Sequence, residues 1–200
     1  MSTRQADVER FRRLLEEATK GVASRYFLLP IAGVDDSWPE EEVYRERVYA
    51  YELYHQLRKR WPPSGGPAKW PYYLCGEIDK SGQPRFKGIQ GLEGVKPDLL
   101  VHEPGTMDHN LVAVEIKVFC SKDSKAFIGD YKKLSLCCQP ECRGGAGYQL
   151  GVLLVYGSDV GRAVTDGIAA RDKGIDLSCV ELWHHSSHGK SAVKVDLESS

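Results

Sequence analysis

The apolar positions change their spacing along the chain, and the changes mark out its elements. From about Gln5 to Lys20, the residues Ala6, Phe11, Leu14, Leu15 and Ala18 fall at helical steps, which predicts an amphipathic helix. A short apolar segment, Tyr26 to Ala32, follows. A second helix is predicted from about Glu40 to Trp61, entered through Ser37-Trp38-Pro39 with acidic residues in its first turn and stopped by Pro62-Pro63. Beyond a Pro/Gly-rich connection ending at Pro71 the spacing becomes that of strands: Tyr72 to Ile78, Arg85 to Ile89, Asp98 to Glu103 and Leu111 to Phe119. Strands in succession suggest an antiparallel meander. A helix from about Ser124 to Cys138 carries Phe127, Tyr131, Leu134 and Cys138 on one face. The segment from Tyr148 to Tyr156 is almost continuously apolar, as in a strand covered on both sides. A helix from about Val160 to Asp172, capped by Asp159 or Ser158, and a strand near Cys179 to His184 complete the series. This order predicts an α/β fold: a mixed central sheet, made of a strand meander plus further strands, flanked by helices.

Composition adds bounds. Two hundred residues, 42% of them apolar, suffice for one domain spanning 1–200 with a core that needs no disulfides. The termini are polar and no apolar run has the length of a membrane span, so a soluble, cytoplasmic protein without a membrane partner is expected. In such a setting the six cysteines are read as reduced thiols. Cys137, Cys138 and Cys142 would serve zinc with His184, His185 or His188, but their spacing lacks the paired Cys-x-x-Cys pattern of structural zinc. A formal charge of −1 excludes a chain that coats nucleic acid by net attraction. Any nucleic-acid site must use local clusters such as Arg58-Lys59-Arg60 or Lys132-Lys133, although short runs of this kind are ordinarily solvated faces. The stretch Gly144-Gly145-Ala146-Gly147 lacks the spacing of a phosphate loop and reads as a flexible turn.

The candidate chemistry lies in Leu111 to Phe119. Strand side chains alternate, so Val112, Val114, Ile116 and Val118 form one wholly apolar face, while the other carries Glu115 and Lys117. Ionised groups in a core-like strand are costly unless paired or bound to metal. The preceding strand opens with Pro97-Asp98, and the connection from Glu103 to Asn110 can turn the chain back to set Asp98 beside Glu115. Two carboxylates and a lysine at a strand end meet the needs of metal-assisted hydrolysis. Carboxylates so placed repel one another when no cation is present, and neutralising Glu115 is expected to relieve the empty site.

Pro97-Asp98, followed after sixteen intervening residues by Glu115-Ile116-Lys117, resembles the PD-(D/E)xK motif of the restriction-endonuclease-like superfamily. The flanking Pro-Asp-Leu-Leu-Val-His and Asn-Leu-Val-Ala-Val-Glu-Ile-Lys are similar to small bacterial members. The resemblance covers residues 40–157 and implies a restriction-endonuclease-like core within which Asp98, Glu115 and the carbonyl of Ile116 hold Mg2+, with Mn2+ able to substitute. Lys117 would position the attacking water. Members of the superfamily also bring a glutamate from the first core helix. The helical wheel favours Glu46, which joins the stripe Val43, Ala50, Leu53 and Leu57, over Glu52, which points away. Glu77 and Tyr131 are further candidates, with a solvated turn and ordinary core as their plainer readings. The implied function is hydrolysis of nucleic-acid phosphodiesters, DNA being favoured as substrate. The alternative is a catalytically inactive nucleic-acid- or protein-binding module on the same fold. A homodimer would suit cleavage of a duplex, but no sequence feature marks an interface.

Overall fold

The computed structural model describes residues 3–31, 41–62, 70–76, 96–106, 109–119, 126–140, 142 and 144–197. Helix α1 (Thr3–Lys20) buries Phe11, Leu15 and Ala18, the stripe that its spacing predicts. The short helix α2 (Ser24–Phe27) leads into β1 (Leu29–Ile31), which pairs antiparallel with β2 (Glu41–Val43). Helix α3 therefore begins at Glu46 and runs to Arg60, later than the start expected near Glu40. Pairing with β1 gives residues 41–43 backbone partners in a ribbon, which the local acidic pattern does not announce. Ser37-Trp38-Pro39, the strand expected over Arg85 to Ile89, and Glu77 lie outside the described residues.

The central sheet has six strands in the order β3 (Tyr73–Gly76), β4 (Leu99–His102), β5 (Asn110–Val118), β6 (Leu150–Tyr156), β7 (Val180–His185) and β8 (Val193–Val195). The first three pair antiparallel, which is the expected meander. Strands β5, β6 and β7 are parallel, joined through α4 (Ala126–Cys138) and α5 (Gly161–Asp172), and β8 closes the far edge antiparallel. At three residues β8 is too short for alternation to reveal it. At the start of α5, Asp159 Oδ1 accepts the Gly161 N–H at 2.8 Å.

The fold is thus a mixed α/β sheet flanked by helices. On one face Val112, Val114, Ile116, Val152 and Leu154 pack with α1 and α3; on the other, Leu100, Ala113, Leu153 and Val155 pack with α4 and α5. Coverage on both sides explains why β6 is buried throughout and apolar in nearly every residue. Gly151 lets α4 approach the sheet, since a Cβ there would stand 3.0 Å from the Leu134 Cβ. The turn at Gly144–Gly147 is packed, not loose: Ala146 is buried and its carbonyl accepts from the Asn110 side chain at 2.7 Å. Among the described residues no helix is long and apolar enough to cross a membrane.

Candidate active site

The site forms at the carboxyl end of β5, on the face covered by α4. Leu99 pairs with Val114 and Leu100 with Ala113, so continuing the antiparallel register sets Asp98 directly across from Glu115. Residues facing each other in such a pair project to the same side of the sheet. Pro97 is buried immediately before, where a residue without an N–H suits the start of a strand. Asp98 lies just beyond the last pair of β4, and its Oδ2 accepts the Ile116 N–H at 2.7 Å. A residue in extended conformation sends its N–H and C=O to the same edge of the strand, so the Ile116 carbonyl lies on the β4 side as well.

Glu115 is 3% exposed. Its Oε1 receives Lys133 Nζ at 2.8 Å and lies 3.3 Å from Lys117 Nζ. Lys117 Nζ also donates to Glu46 Oε1 at 3.2 Å, which brings the first turn of α3 to the site. Glu46 stands three residues before Tyr49 in the buried stripe of α3, which consists of Tyr49, Leu53, Gln56 and Leu57. Glu46, the glutamate that the wheel favours, is the one in contact with Lys117, although Val43, taken as part of the stripe, belongs to β2. Glu52 accepts from Gln56 Nε2 at 2.6 Å, one turn further along α3.

The electrostatics of the site act strongly on Asp98. Burial, then the neighbouring Glu115 charge, pushes Asp98 up from 3.8 to about 7. Lys117 is raised as well: burial works against its charge, but Glu115, Asp130, Glu46 and Asp98 together outweigh it. The second oxygen of Glu115, Oε2, is buried without a hydrogen-bond partner among the described residues.

Helix α4 adds two groups that the sequence reading did not place here. Asp130 is 3% exposed, and its Oδ1 lies 2.9 Å from Lys133 Nζ, while its Oδ2 is buried without a partner among the described residues. Burial and then Glu115 raise the Asp130 carboxyl above its ordinary range. The signal for Asp130 was present, because it follows Phe127 by three residues and precedes Leu134 by four, on the apolar face. Of the pair Lys132-Lys133, Lys132 is exposed as a solvated run would be, whereas Lys133 turns to Glu115.

Comparison with protein-family models, with curated proteins and with solved structures finds no match.

The remaining candidates fall elsewhere. Tyr131 is fully buried and donates to the Ala163 carbonyl at 3.0 Å, so it ties α4 to α5 and does not face the cleft. Cys137 is buried, Cys138 Sγ lies 3.6 Å from the Cys179 carbonyl, and Cys142 is exposed. His185 Nδ1 meets the Tyr49 hydroxyl at 2.8 Å and His184 Nε2 the Gly157 carbonyl at 2.8 Å, away from those thiols. Among the described residues no three His, Cys, Asp or Glu side chains are grouped as metal ligands.

The residues nevertheless fit a hard divalent cation by their chemistry. Asp98 and Glu115 offer carboxylate oxygens on facing positions, one of them buried without a partner among the described residues, and the Ile116 backbone is tied to Asp98 through its N–H. Lysines now occupy the charge-compensating positions around Glu115.

Proposed function

We propose that this protein is a metal-dependent nuclease of the PD-(D/E)xK type, hydrolysing phosphodiester bonds in nucleic acid, DNA being the favoured substrate. The observation that carries this reading is the facing pair Asp98 and Glu115 at one strand end, with Lys117 beside Glu115 and Glu46 reaching Lys117 from α3. The order α3, β3, β4, β5, α4, β6 supports it, since a helix, a three-strand meander, a helix and a further strand make up a restriction-endonuclease-like core. Asp98, Glu115 and the Ile116 carbonyl would hold Mg2+ or Mn2+. The cation would supply an activated water and offset charge on the phosphate in the transition state. Lys117, held between Glu115 and Glu46, would orient the water and stabilise the developing charge.

One observation favours the alternative of an inactive binding module: Lys117 and Lys133 already compensate Glu115. Incubation of the purified protein with supercoiled plasmid, single-stranded DNA and RNA, each with Mg2+, with Mn2+ and with chelator, separates the readings. Metal-dependent cleavage of at least one substrate is expected. Asp98→Asn, Glu115→Gln and Lys117→Ala should each lower it by orders of magnitude with non-additive losses, because the three act as one unit. No cleavage of any substrate by the wild type, with Asp98→Asn indistinguishable from it, would establish the binding module instead.

A further inference from the structure

Lys133 and Asp130 are the two groups of α4 at this site that the motif leaves unused. The Lys133 ammonium lies between two buried carboxylates, 2.8 Å from Glu115 Oε1 and 2.9 Å from Asp130 Oδ1. Each of those carboxylates keeps a second oxygen buried without a partner among the described residues. The cluster of Glu46, Asp98, Glu115 and Asp130 carries four acids against the two ammoniums of Lys117 and Lys133. When all are ionised it lacks two positive charges, the amount a single divalent cation brings.

We propose that Lys133 is a substrate-positioning residue that exchanges Glu115 for a phosphate of the nucleic acid when a divalent cation enters the site. The proposal rests on the metal-dependent reading above. Lys133 and a cation held by Glu115 would compete for the same carboxylate, and like charges this close repel strongly where water is scarce. Lys133 is the partner free to yield. Its side chain is 34% exposed against 16% for Lys117, and a lysine head on four flexible carbons can swing while its stem stays packed. Asp130, three residues earlier on α4 and itself buried, then keeps the ammonium beside the site, and the exposed part of the Lys133 side chain is what an entering phosphodiester would meet. The geometry thus gives Lys133 opposite effects on the two ligands: it opposes the cation and favours the nucleic acid.

This opposition can be measured without turnover. Lys133→Gln removes the charge and keeps a hydrogen-bond donor for Glu115 and Asp130; Lys132→Ala, at the exposed neighbour, is the control. Calorimetric titration with Mn2+ should show Lys133→Gln binding the ion more tightly than wild type, on the order of tenfold. Fluorescence anisotropy with a phosphorothioate oligonucleotide should show weaker binding of the same variant, again about tenfold, when Mn2+ saturates the site, and no change in chelator. Lys132→Ala should match the wild type in both. Equal Mn2+ affinity in wild type and Lys133→Gln would leave the metal site standing and remove Lys133 from this role. Weakening in chelator as large as that in Mn2+ would reduce Lys133 to a general surface charge and overturn the exchange. Absence of Mn2+ binding in both proteins would remove the metal-dependent function itself, and the exchange with it.

Discussion

Asp98 and Glu115 are both carboxylates at one strand end, yet their surroundings give them different roles in stability. Glu115 shares one oxygen between two lysines, whereas Asp98 has the Ile116 N–H and the charge of Lys117, which burial and the charges of Glu115 and Glu46 outweigh. With its folded pKa raised from 3.8 to about 7, Asp98 holds its proton more tightly in the native state than in the unfolded chain. The stability this gives is complete below about pH 4 and is lost as pH rises through about 7. Asp98→Asn, whose amide oxygen can still accept the Ile116 N–H, should therefore melt higher than wild type at about pH 8 in chelator, by on the order of 1 kcal/mol. At about pH 4 the two proteins should melt together. Thermal unfolding across this pH range checks it, and a lower melting point for Asp98→Asn at the alkaline end would show that the ionised form is better compensated than its burial suggests.

At the scale of elements, the alternation of β5 does two jobs at once. Its even residues from Val112 to Val118 join the core beneath α1 and α3, and its odd residues deliver Glu115 and Lys117 to the face beneath α4. Helix α3 supplies Glu46 because its first turn reaches the end of β5, and Glu52 lies one and a half turns along the same helix with its carboxylate on Gln56. Glu46→Gln should therefore weaken the hold on Lys117 and lower metal-dependent cleavage by about tenfold or more, while Glu52→Gln should change it less than twofold. Parallel kinetic assays of the two variants decide between them. The reverse pattern would mean that the helix presents its other side to the substrate.

For the molecule as a whole, the cluster combines repulsion at Asp98 with compensation at Glu115. The expectation that neutralising Glu115 would relieve the apo protein is therefore revised. Glu115→Gln leaves Lys117 and Lys133 without their shared negative partner in a buried setting, and it should melt below wild type in chelator. Mn2+ at about ten times its dissociation constant should stabilise the wild type by roughly 1.4 kcal/mol, a rise on the order of 3–6 °C at this length, through linkage of binding to folding. Glu115→Gln should lose most of that rise. Differential scanning calorimetry with and without the metal reads both effects, and an equal rise in the two proteins would place the cation away from Glu115.

What was legible in the sequence is what depends on local periodicity. The face alternation of β5, the apolar run of β6, the α3 stripe that selects Glu46, and the meander that turns Asp98 back to Glu115 all follow from steps of two or of three and four residues. Asp130 was open to the same wheel argument, since it interrupts the apolar face of α4. Tertiary structure alone decided the rest. The pairing of residues 41–43 with 29–31 shortens α3, and β8 exists because β7 offers it an edge. The placement of Lys133 on Glu115 depends on how closely α4 can approach the sheet at Gly151, eighteen residues beyond Lys133 in the chain and carried on another element. Spacing along a chain sets which residues share a face, but contacts between elements depend on packing distances that no local pattern records.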